Sequence, residues 1–307
     1  LVSGDLAHHP VGLLLLGLLR SDAARALHWV GLSNRAAADA TTEALRAHCQ
    51  AWHVIVHMND AQVVDLVRRE DIDVLIDLSG HTVGHRLGVF RRRPAPLQMS
   101  WLGFHASTGL SEMDAILADD FSLPEDEATG YAERQVLRLP HTRYVWAPEE
   151  DLPPVSPLPA LQRGHITFGS FQDLTKISDA TLRCWARIAE ALPAARFRVQ
   201  SRQWDPQNLA QQRFGARCAR AGLPMDRLDW AGNTPWRDYL AAYAQVDVVL
   251  DSFPFPSGAK TLQALWMGVP TLTLSQAGML GRQGAALMTQ AGLASWVARD
   301  EADYVAK

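Results

Sequence analysis

Two adjacent segments decide the fold: Ala61-Gln-Val-Val-Asp-Leu-Val-Arg-Arg-Glu70 and, shortly after it, Asp73-Val-Leu-Ile-Asp-Leu78. In the first, Val63, Val64 and Val67 repeat at a helical spacing, which predicts a helix with one apolar side. The second is a short and almost wholly apolar run, which predicts a strand buried on both faces. A helix followed at once by such a strand is typical of a parallel sheet covered by helices.

The same alternation runs through the chain. It predicts elements over 26–32, 36–49, 54–57, 165–168, 178–192, 196–200, 205–221, 227–230, 235–244, 246–251, 260–267 and 271–274. Residues 146–164 interrupt it with five prolines and an acidic run, a composition typical of an interdomain linker. We therefore expect an α/β protein of two Rossmann-like, doubly wound domains, residues 1–155 and 156–307, facing one cleft.

Composition limits the function. The net charge of −4 provides no basic surface for nucleic acid, so an anionic ligand needs a local set of donors. Cys49, Cys184 and Cys218 form no CxxC pair, which favours a reducing compartment over a disulfide framework. No apolar run approaches the ~20 residues of a membrane span. We expect a cytoplasmic protein, and the incomplete elements at both ends suggest that it is longer than this chain.

Several familiar sites are disfavoured. No G-x-G-x-x-G motif opens a helix, which argues against a dinucleotide-binding dehydrogenase. Gly258-Ala-Lys-Thr261 resembles the end of a P-loop but lacks the earlier glycine of that motif. The pairs His53/His57 and His81/His85 have i,i+4 spacing, but one lies on a predicted strand and the other spans a loop. We expect no metal site and no cofactor.

The segment Thr167-Phe-Gly-Ser-Phe-Gln-Asp-Leu-Thr-Lys-Ile-Ser178 leads from a buried strand through a loop into a helix. Ser178 is a natural N-cap for that helix. Lys176 lies just before the helix amino terminus, where its charge opposes the helix dipole unless an anion binds between them. A phosphate site and a solvated loop lysine are both compatible with this pattern.

Two more strand-to-helix turns occur in the same half of the chain. After the strand that ends at Asp251, the small residues Ser257 and Gly258 allow backbone N–H groups to approach a phosphate closely. The segment from Trp230 to Tyr239 leaves a strand through Gly and Asn, and its backbone and Tyr239 are candidates to contact a nucleobase. Either turn alone is an ordinary connection, but three in one domain favour a nucleotide site.

The order of motifs along the chain is distinctive. They are His9-Pro10, Asp77-Leu-Ser-Gly-His-Thr82, Arg93-Pro-Ala-Pro-Leu-Gln98, Trp101-Leu-Gly103, Pro140-His-Thr142, Phe171-Gln-Asp-Leu-Thr-Lys-Ile177 and Ala264-Leu-Trp-Met-Gly-Val-Pro270. In this order they resemble the catalytic region of the protein O-linked N-acetylglucosamine (O-GlcNAc) transferases of glycosyltransferase family 41, especially bacterial members that carry tetratricopeptide repeats. The resemblance covers essentially the whole chain.

The resemblance implies a GT-B fold and an inverting, metal-independent transfer of N-acetylglucosamine from UDP-GlcNAc to Ser or Thr hydroxyls of proteins. It implies two catalytic residues, Lys176 at the diphosphate and His9 near the sugar and acceptor; the base is His9, a phosphate oxygen or a water relay. The implied nucleotide-sugar site comprises Gln172, Lys176, Thr234, Tyr239, Gly258, Ala259, Lys260 and Gln263. The implied sugar and acceptor side comprises His9, His81, Gly103, His105 and Thr108. The implied partners are a nucleotide sugar and protein acceptors, selected with tetratricopeptide repeats upstream of this chain.

Some residues depart from the family pattern. Relatives carry G-[GH]-T-T-x-x-[DE] where this chain has Ser257-Gly-Ala-Lys-Thr-Leu-Gln263, so Ala259 and Lys260 replace a threonine pair and Gln263 replaces a ribose-binding carboxylate. Asp173 places a carboxylate in the phosphate loop, where many relatives have a neutral residue. These departures leave two alternatives open: another donor such as GDP-fucose or a UDP-hexose, or a module that binds a nucleotide or a protein without turnover.

Overall fold

The computed structural model describes residues 1–147, 152–202 and 209–307. The chain divides into two compact units, Leu1–Pro148 (the first unit) and Glu149–Lys307 (the second unit). Residues 148–151 of the predicted linker and residues 205–208 of the helix predicted over 205–221 lie outside the described residues. Among the described helices, none has the length and apolar character needed to cross a membrane.

The first unit is built on a parallel sheet. Its strands are β1 (Val2–Ser3), β2 (Val30–Ser33), β3 (Ala51–Val54), β4 (Val74–Asp77), β5 (Leu97–Ser100), β6 (Ala115–Ala118) and β7 (Gln135–Arg138). Its helices are α1 (Pro10–Leu19), α2 (Ala40–Arg46), α3 (Asp60–Arg69), α4 (Leu87–Phe90) and α5 (Glu125–Ala128). The strand order is β3-β2-β1-β4-β5-β6-β7. The direction of winding therefore reverses between β1 and β4, and ligands of doubly wound sheets bind at such switch points.

The second unit repeats this architecture. Its strands are β8 (Thr167–Ser170), β9 (Arg196–Gln200), β10 (Leu228–Ala231), β11 (Val248–Leu250), β12 (Thr271–Leu274) and β13 (Val297–Ala298). Its helices are α6 (Ala160–Arg163), α7 (Asp179–Ala191), α8 (Leu209–Arg220), α9 (Trp236–Ala241), α10 (Gly258–Trp266), α11 (Gly278–Gly281), α12 (Gln283–Gln290) and α13 (Glu301–Ala306). The parallel order is β10-β9-β8-β11-β12-β13, so the switch point lies between β8 and β11.

Each sheet is held by the apolar sides of its helices. Val63, Val64 and Val67 of α3 are all buried in the core of the first unit, as their spacing predicts. In the second unit, Trp185 of α7 packs with Phe197 of β9 in the core on one side of the sheet. Burying one such side chain contributes roughly 1.5–3 kcal/mol, so these stripes fix which side of each helix faces the sheet.

Three strand predictions in the first unit are wrong, the first because the strand predicted over 26–32 begins only at Val30. The strand predicted over 54–57 lies earlier, because β3 pairs with β2 from Ala51 opposite Val30. The Trp52 ring covers Gly31, where a side chain would not fit, and this contact sets the register. The prediction that β4 is buried on both faces is also wrong, since Val74 is 38% exposed. The two-residue β1 meets β4 at Asp77 and does not shield its beginning.

The last helix, α13, is tied to the second sheet. Its N-cap Asp300 accepts a hydrogen bond from Asp303 N at 2.8 Å. The side chain of Tyr304 is buried, and its hydroxyl donates to the backbone oxygen of Asp251 at 2.9 Å. The ring of Tyr304 also lies edge-on to Phe253, with 5.4 Å between ring centres. A residue near the end of the chain therefore supports the loop that follows β11.

Candidate active site

The loop after β8 forms a short 3-10 turn, Leu174–Lys176, before α7 begins. Asp173 caps this turn, accepting hydrogen bonds from the Thr175 amide at 3.0 Å and the Thr175 hydroxyl at 2.7 Å. Ser178 caps α7 by accepting from Thr181 N at 3.1 Å, as predicted. The carboxylate of Asp173, expected to oppose a phosphate, is thus engaged in shaping the turn that presents Lys176.

Lys176 lies in a partly buried, positively charged environment. Its Nζ is 4.2 Å from the centre of the Phe255 ring. Burial lowers the pKa of Lys176, and the charges of Lys260 and Arg202 lower it further, while Asp173 acts in the opposite direction. Desolvating a cation beside a second cation is unfavourable unless an anion compensates both. The arrangement is therefore that of an anion site.

Gln172 connects the two strands at the switch point. Its side-chain amide donates to Ser252 Oγ at 3.2 Å and to the Phe255 carbonyl at 3.3 Å. Its Oε1 accepts from Asp173 N at 3.1 Å. Because Gln172 is buried, it forms the wall of the site and fixes the loop that carries Phe255 against Lys176.

Helix α10 contributes its amino terminus to the same place. It begins at Gly258, two residues before the start predicted at residue 260, and Ser257 caps it by accepting from Lys260 N at 3.2 Å. The first N–H groups of a helix have no acceptor within the helix, so Gly258 and Ala259 offer donors to an anion. The Nζ of Lys260 lies 4.7 Å from the centre of the Tyr239 ring.

Asp251, whose role the sequence analysis missed, shapes the loop between β11 and α10. Its Oδ1 accepts from Ser252 N at 3.0 Å and from Ser257 N at 3.1 Å, and its Oδ2 accepts from Thr273 Oγ1 at 2.9 Å. Burial raises the pKa of Asp251 to about 7, although these hydrogen bonds act in the opposite direction. The available signal was a carboxylate at the end of an otherwise apolar strand.

The residues predicted to contact the nucleoside point to two different places, Tyr239 from within α9 and Thr234 from the connection just before it. Tyr239 donates from its hydroxyl to Gln263 Oε1 at 3.0 Å, and its ring stacks on Trp236 with 5.6 Å between centres. Thr234 lies instead beside the end of β9, where its hydroxyl accepts from Gln200 Nε2 at 3.1 Å. The structure thus brings most of the predicted nucleotide-sugar residues together, with Thr234 on the neighbouring turn. The group comprises Gln172, Lys176, Tyr239, Gly258, Ala259, Lys260 and Gln263.

In the first unit, His9 is the N-cap of α1. Its Nδ1 accepts from Val11 N at 3.3 Å and lies 3.8 Å from Asp5 Oδ2, and Pro10 occupies the first helical position. The side chain of His9 is 43% exposed. Its imidazole therefore has both a capping role and access to solvent at the carboxyl end of β1.

The other residues predicted for the acceptor side form three separate contacts. His81 donates from Nε2 to the Thr108 carbonyl at 2.8 Å, which brings these two residues together. His105 is held elsewhere in the loop, because its Nδ1 accepts from the buried Arg143 at 3.0 Å. Gly103 packs so tightly on the backbone of Leu78 that a side chain would not fit. These contacts fix the loop from 103 to 109 against the end of β4.

Asp77 supports that end of the first sheet. Its Oδ1 accepts from Ser79 N at 3.2 Å and its Oδ2 accepts from Gly80 N at 2.7 Å. Burial raises the pKa of Asp77 to about 6, while the two backbone hydrogen bonds and His81 lower it. From the sequence alone, Asp77 is only the first residue of the motif Asp77–Thr82, and no role follows for it.

Comparisons with known proteins agree with this architecture. The family model described as "Glycosyl transferase family 41" matches residues 1–153 and 158–307. A probable UDP-N-acetylglucosamine–peptide N-acetylglucosaminyltransferase, SPINDLY of Oryza sativa subsp. japonica, is 34% identical over 255 residues, covering 83% of this chain and 27% of the relative. A second probable transferase of that description, SEC of Arabidopsis thaliana, is 26% identical over 308 residues, covering 95% of this chain and 30% of the relative.

Solved structures share the fold. A mutant O-GlcNAc transferase of Thermobaculum terrenum aligns with a TM-score of 0.93 and 37% identity, covering 99% of this chain and 57% of that one. Anabaena HepE in complex with UDP and glucose aligns with a TM-score of 0.57 and 15% identity, covering 99% of this chain and 90% of that one, and shows the fold alone. The chain spans only about 27–30% of the length of SPINDLY and SEC. With a family model matched along nearly its whole length and a GT-B fold, the chain belongs to glycosyltransferase family 41.

Proposed function

We propose that this chain is the catalytic region of an enzyme that transfers N-acetylglucosamine from UDP-GlcNAc to Ser or Thr hydroxyls of proteins, with inversion and without a metal ion. The observation that carries the proposal is the convergence of Lys176, Lys260 and the amino terminus of α10 at the switch point of the second sheet. The donor and the protein acceptor are supported by the descriptions of SPINDLY and SEC.

The chemistry requires a site that stabilises a departing diphosphate. The acceptor oxygen forms a bond to the anomeric carbon from the side opposite the leaving group, and the bond from that carbon to the UDP oxygen breaks. The proton of the acceptor hydroxyl passes to a base, which is His9, a phosphate oxygen or a water relay. Negative charge then grows on the diphosphate, where Lys176, Lys260 and the first N–H groups of α10 would stabilise it. One preorganised donor of this kind contributes ~10²–10³ in rate. In this proposal the positive charges of Lys176 and Lys260 stabilise the leaving diphosphate, a role that a metal ion has in other transferases.

The distribution of lysines supports this assignment. The whole chain contains three lysines, and two of them, Lys176 and Lys260, influence each other at this site. The third, Lys307, donates from Nζ to the Ser295 carbonyl at 2.6 Å near the end of the chain. Lys307 is therefore a matched control for substitutions at the other two.

Nucleotide binding tests the proposal directly. We expect wild-type protein to bind UDP in the micromolar range by titration calorimetry. Lys176→Ala should weaken binding at least tenfold, which corresponds to ~1.4 kcal/mol, and should lower turnover of UDP-GlcNAc by ~10²–10³. Lys307→Ala should bind and react like wild type. Equal UDP affinity in wild type and Lys176→Ala would contradict the proposed phosphate site.

The second candidate function is the same transfer with a different sugar donor. Gln263 stands where relatives carry a ribose-binding carboxylate, and its Oε1 already accepts a hydrogen bond from Tyr239 at 3.0 Å. It therefore has less capacity to bind a ribose hydroxyl. Titration with GDP distinguishes the two. Binding of GDP without binding of UDP would support a GDP-sugar such as GDP-fucose and refute the first candidate. If neither nucleotide binds, this chain by itself lacks the transferase activity.

A further inference from the structure

A cavity of about 450 Å³ lies in the second unit at the edge of the sheet opposite to the nucleotide-sugar residues. Thr167 begins β8 and Arg196 begins β9, and both line it. Lys176 and Ser257, by contrast, follow the ends of β8 and β11. A four-residue strand is about 13 Å long, so the cavity and the proposed diphosphate site are separate places.

The cavity is lined by basic side chains. They are Arg163, His165, Arg196 and Arg198. One of these charges is neutralised: Arg196 donates to both carboxylate oxygens of Asp229, at 2.9 Å and 2.5 Å. This pair forms one side of the cavity. Arg163 and Arg198 then give the cavity lining a net positive charge.

Arg163 and Arg198 bind only to neutral groups within the described part of the chain. Arg163 donates to the Gln245 carbonyl at 2.9 Å. Arg198 donates to Gln245 Oε1 at 2.8 Å and to Gln200 Oε1 at 3.0 Å. Burial lowers the pKa of Arg198, and the charge of Arg163 lowers it further, while Asp229 raises it. Asp229 attracts Arg198 more strongly than Arg163 repels it. Asp229 is already paired with Arg196, however, so the lining keeps an excess of positive charge that favours a bound anion.

Two polar atoms without a partner in the described part of the chain lie beneath the cavity surface. Thr167 is 3% exposed, and neither its hydroxyl oxygen nor Arg198 Nε makes a hydrogen bond to any described residue. Both atoms are buried below the lining, so a bound molecule reaches them only after a side-chain rotation. The charges of the lining therefore carry the argument for an occupant.

We propose that this cavity binds a small molecule through a phosphate monoester. Such a group carries about −1.5 to −2 charges at pH 7, which matches the two unneutralised arginines. The planar guanidinium of arginine is suited to bidentate contacts with phosphate oxygens. A volume of about 450 Å³ is within the roughly 300–1,000 Å³ of small-molecule sites and holds more than the anion alone.

Calorimetry at low ionic strength tests the site with two probes, inorganic phosphate and glucose 6-phosphate. Both are titrated into Lys176→Ala protein, in which the proposed diphosphate site is weakened. We expect saturable binding of both probes. Adding Arg198→Gln or Arg163→Gln should weaken binding at least tenfold, whereas Arg213→Gln, an exposed arginine of α8, should leave it unchanged. Two separate cavity variants keep the test valid if one of them fails to fold.

Absence of saturable binding, or equal affinity in Arg198→Gln, Arg163→Gln and Arg213→Gln, would overturn the proposal. Binding of inorganic phosphate without glucose 6-phosphate would overturn the small-molecule part of it. The affinity for UDP of the single variant Arg163→Gln should equal that of wild type, because the guanidinium of Arg163 makes its only hydrogen bond to a described residue at the Gln245 carbonyl. This measurement distinguishes a failure of the cavity proposal from a failure of the proposed transferase site.

Discussion

Asp77 in the first unit and Asp251 in the second occupy the same topological position. Asp77 is the last residue of β4, which is next to β1 at the switch point of the first sheet. Asp251 directly follows β11, which is next to β8 at the switch point of the second sheet. Both are buried, and burial raises the pKa of Asp77 to about 6 and that of Asp251 to about 7. Each also accepts two backbone N–H groups of the turn that follows, so the two units use one device to shape the loop at the binding edge.

The two carboxylates differ in how their oxygens are used. Asp77 accepts one backbone N–H on each oxygen, at 3.2 Å and 2.7 Å. Asp251 accepts both N–H groups on Oδ1, and its Oδ2 faces the hydroxyl of Thr273. A hydroxyl both donates and accepts, so Asp251 can take up a proton without losing a partner. Asp77 has no such freedom, because both of its oxygens face backbone N–H groups.

The surroundings differ as well. All three lysines of the chain lie in the second unit, and two of them are beside the loop that Asp251 shapes. The corresponding edge of the first unit carries His9 and His81 instead. A buried aspartate that accepts backbone N–H groups thus shapes the loop in both units, although the neighbouring side chains differ. We propose that the second unit holds an anion and that the first handles the acceptor proton.

The largest expected effect tests the proton-handling side. His9→Asn replaces the N-cap of α1 by a residue that caps helices well, so the free energy of unfolding should change little. If the imidazole of His9 acts on the acceptor proton, kcat should fall by ~10² or more. Steady-state kinetics and thermal unfolding of the same variant make the test. Wild-type kcat in His9→Asn would reduce the role of His9 to capping.

A matched pair of substitutions tests the difference between the two aspartates. Asp251→Asn keeps every hydrogen bond if the Thr273 hydroxyl accepts from the new amide. Asp77→Asn turns an NH₂ group toward a backbone N–H that the ionised carboxylate accepts, so it should be the less stable of the two variants by ~1–3 kcal/mol. Urea unfolding monitored by fluorescence checks both at pH 8, where both carboxyls are ionised. Equal losses of stability in the two variants would contradict the comparison.

The same pair has a pH signature. The unfolded pKa of Asp is about 3.9, and both folded values are raised above it, so each carboxyl binds its proton more tightly in the folded protein. The protonated carboxyl contributes its full stabilisation of the folded protein below pH ~4. This contribution is lost as the pH rises to about 6 for Asp77 and to about 7 for Asp251. Asp251→Asn should therefore gain stability relative to wild type between pH 5 and pH 8.

The smallest expected effect concerns the two lysines of the anion site. Lys176 is partly buried against Phe255, whereas Lys260 lies over the ring of Tyr239 at the helix start. Lys260→Ala should weaken UDP binding only severalfold, less than the tenfold or more expected for Lys176→Ala, because partial burial strengthens an electrostatic contact. Calorimetry over a salt series makes the comparison. A larger loss in Lys260→Ala would reverse this order.

Much of the fold could be predicted because local patterns and tertiary packing agree. The spacing of Val63, Val64 and Val67 placed α3, and the cap at Ser178 placed the start of α7. The position of β3 could not be predicted, because the contact of Trp52 with Gly31 joins residues on different strands. Element type therefore follows from neighbours in the sequence, whereas register depends on partners that no local pattern identifies.

The candidate site was predictable to the same extent. Parallel strands bring the turns after β8 and β11 to one edge, so the proximity of Lys176 and Gly258 follows from topology. The role of Asp251 does not, because it depends on the loop returning so that Ser257 N lies 3.1 Å from the carboxylate. The same is true of Phe255, whose position against Lys176 is set by that loop.

The bond between Tyr304 and the backbone of Asp251 has a practical consequence for anyone who trims or tags this region. Tyr304 fills space against Phe253 and holds the carbonyl that precedes the anion loop. Removing residues 304–307 would leave that carbonyl without its donor and open a void beneath the loop. If such a shortened protein binds nucleotide weakly, the cause is the missing contact beneath the loop. The side chains of the nucleotide site itself would be unchanged.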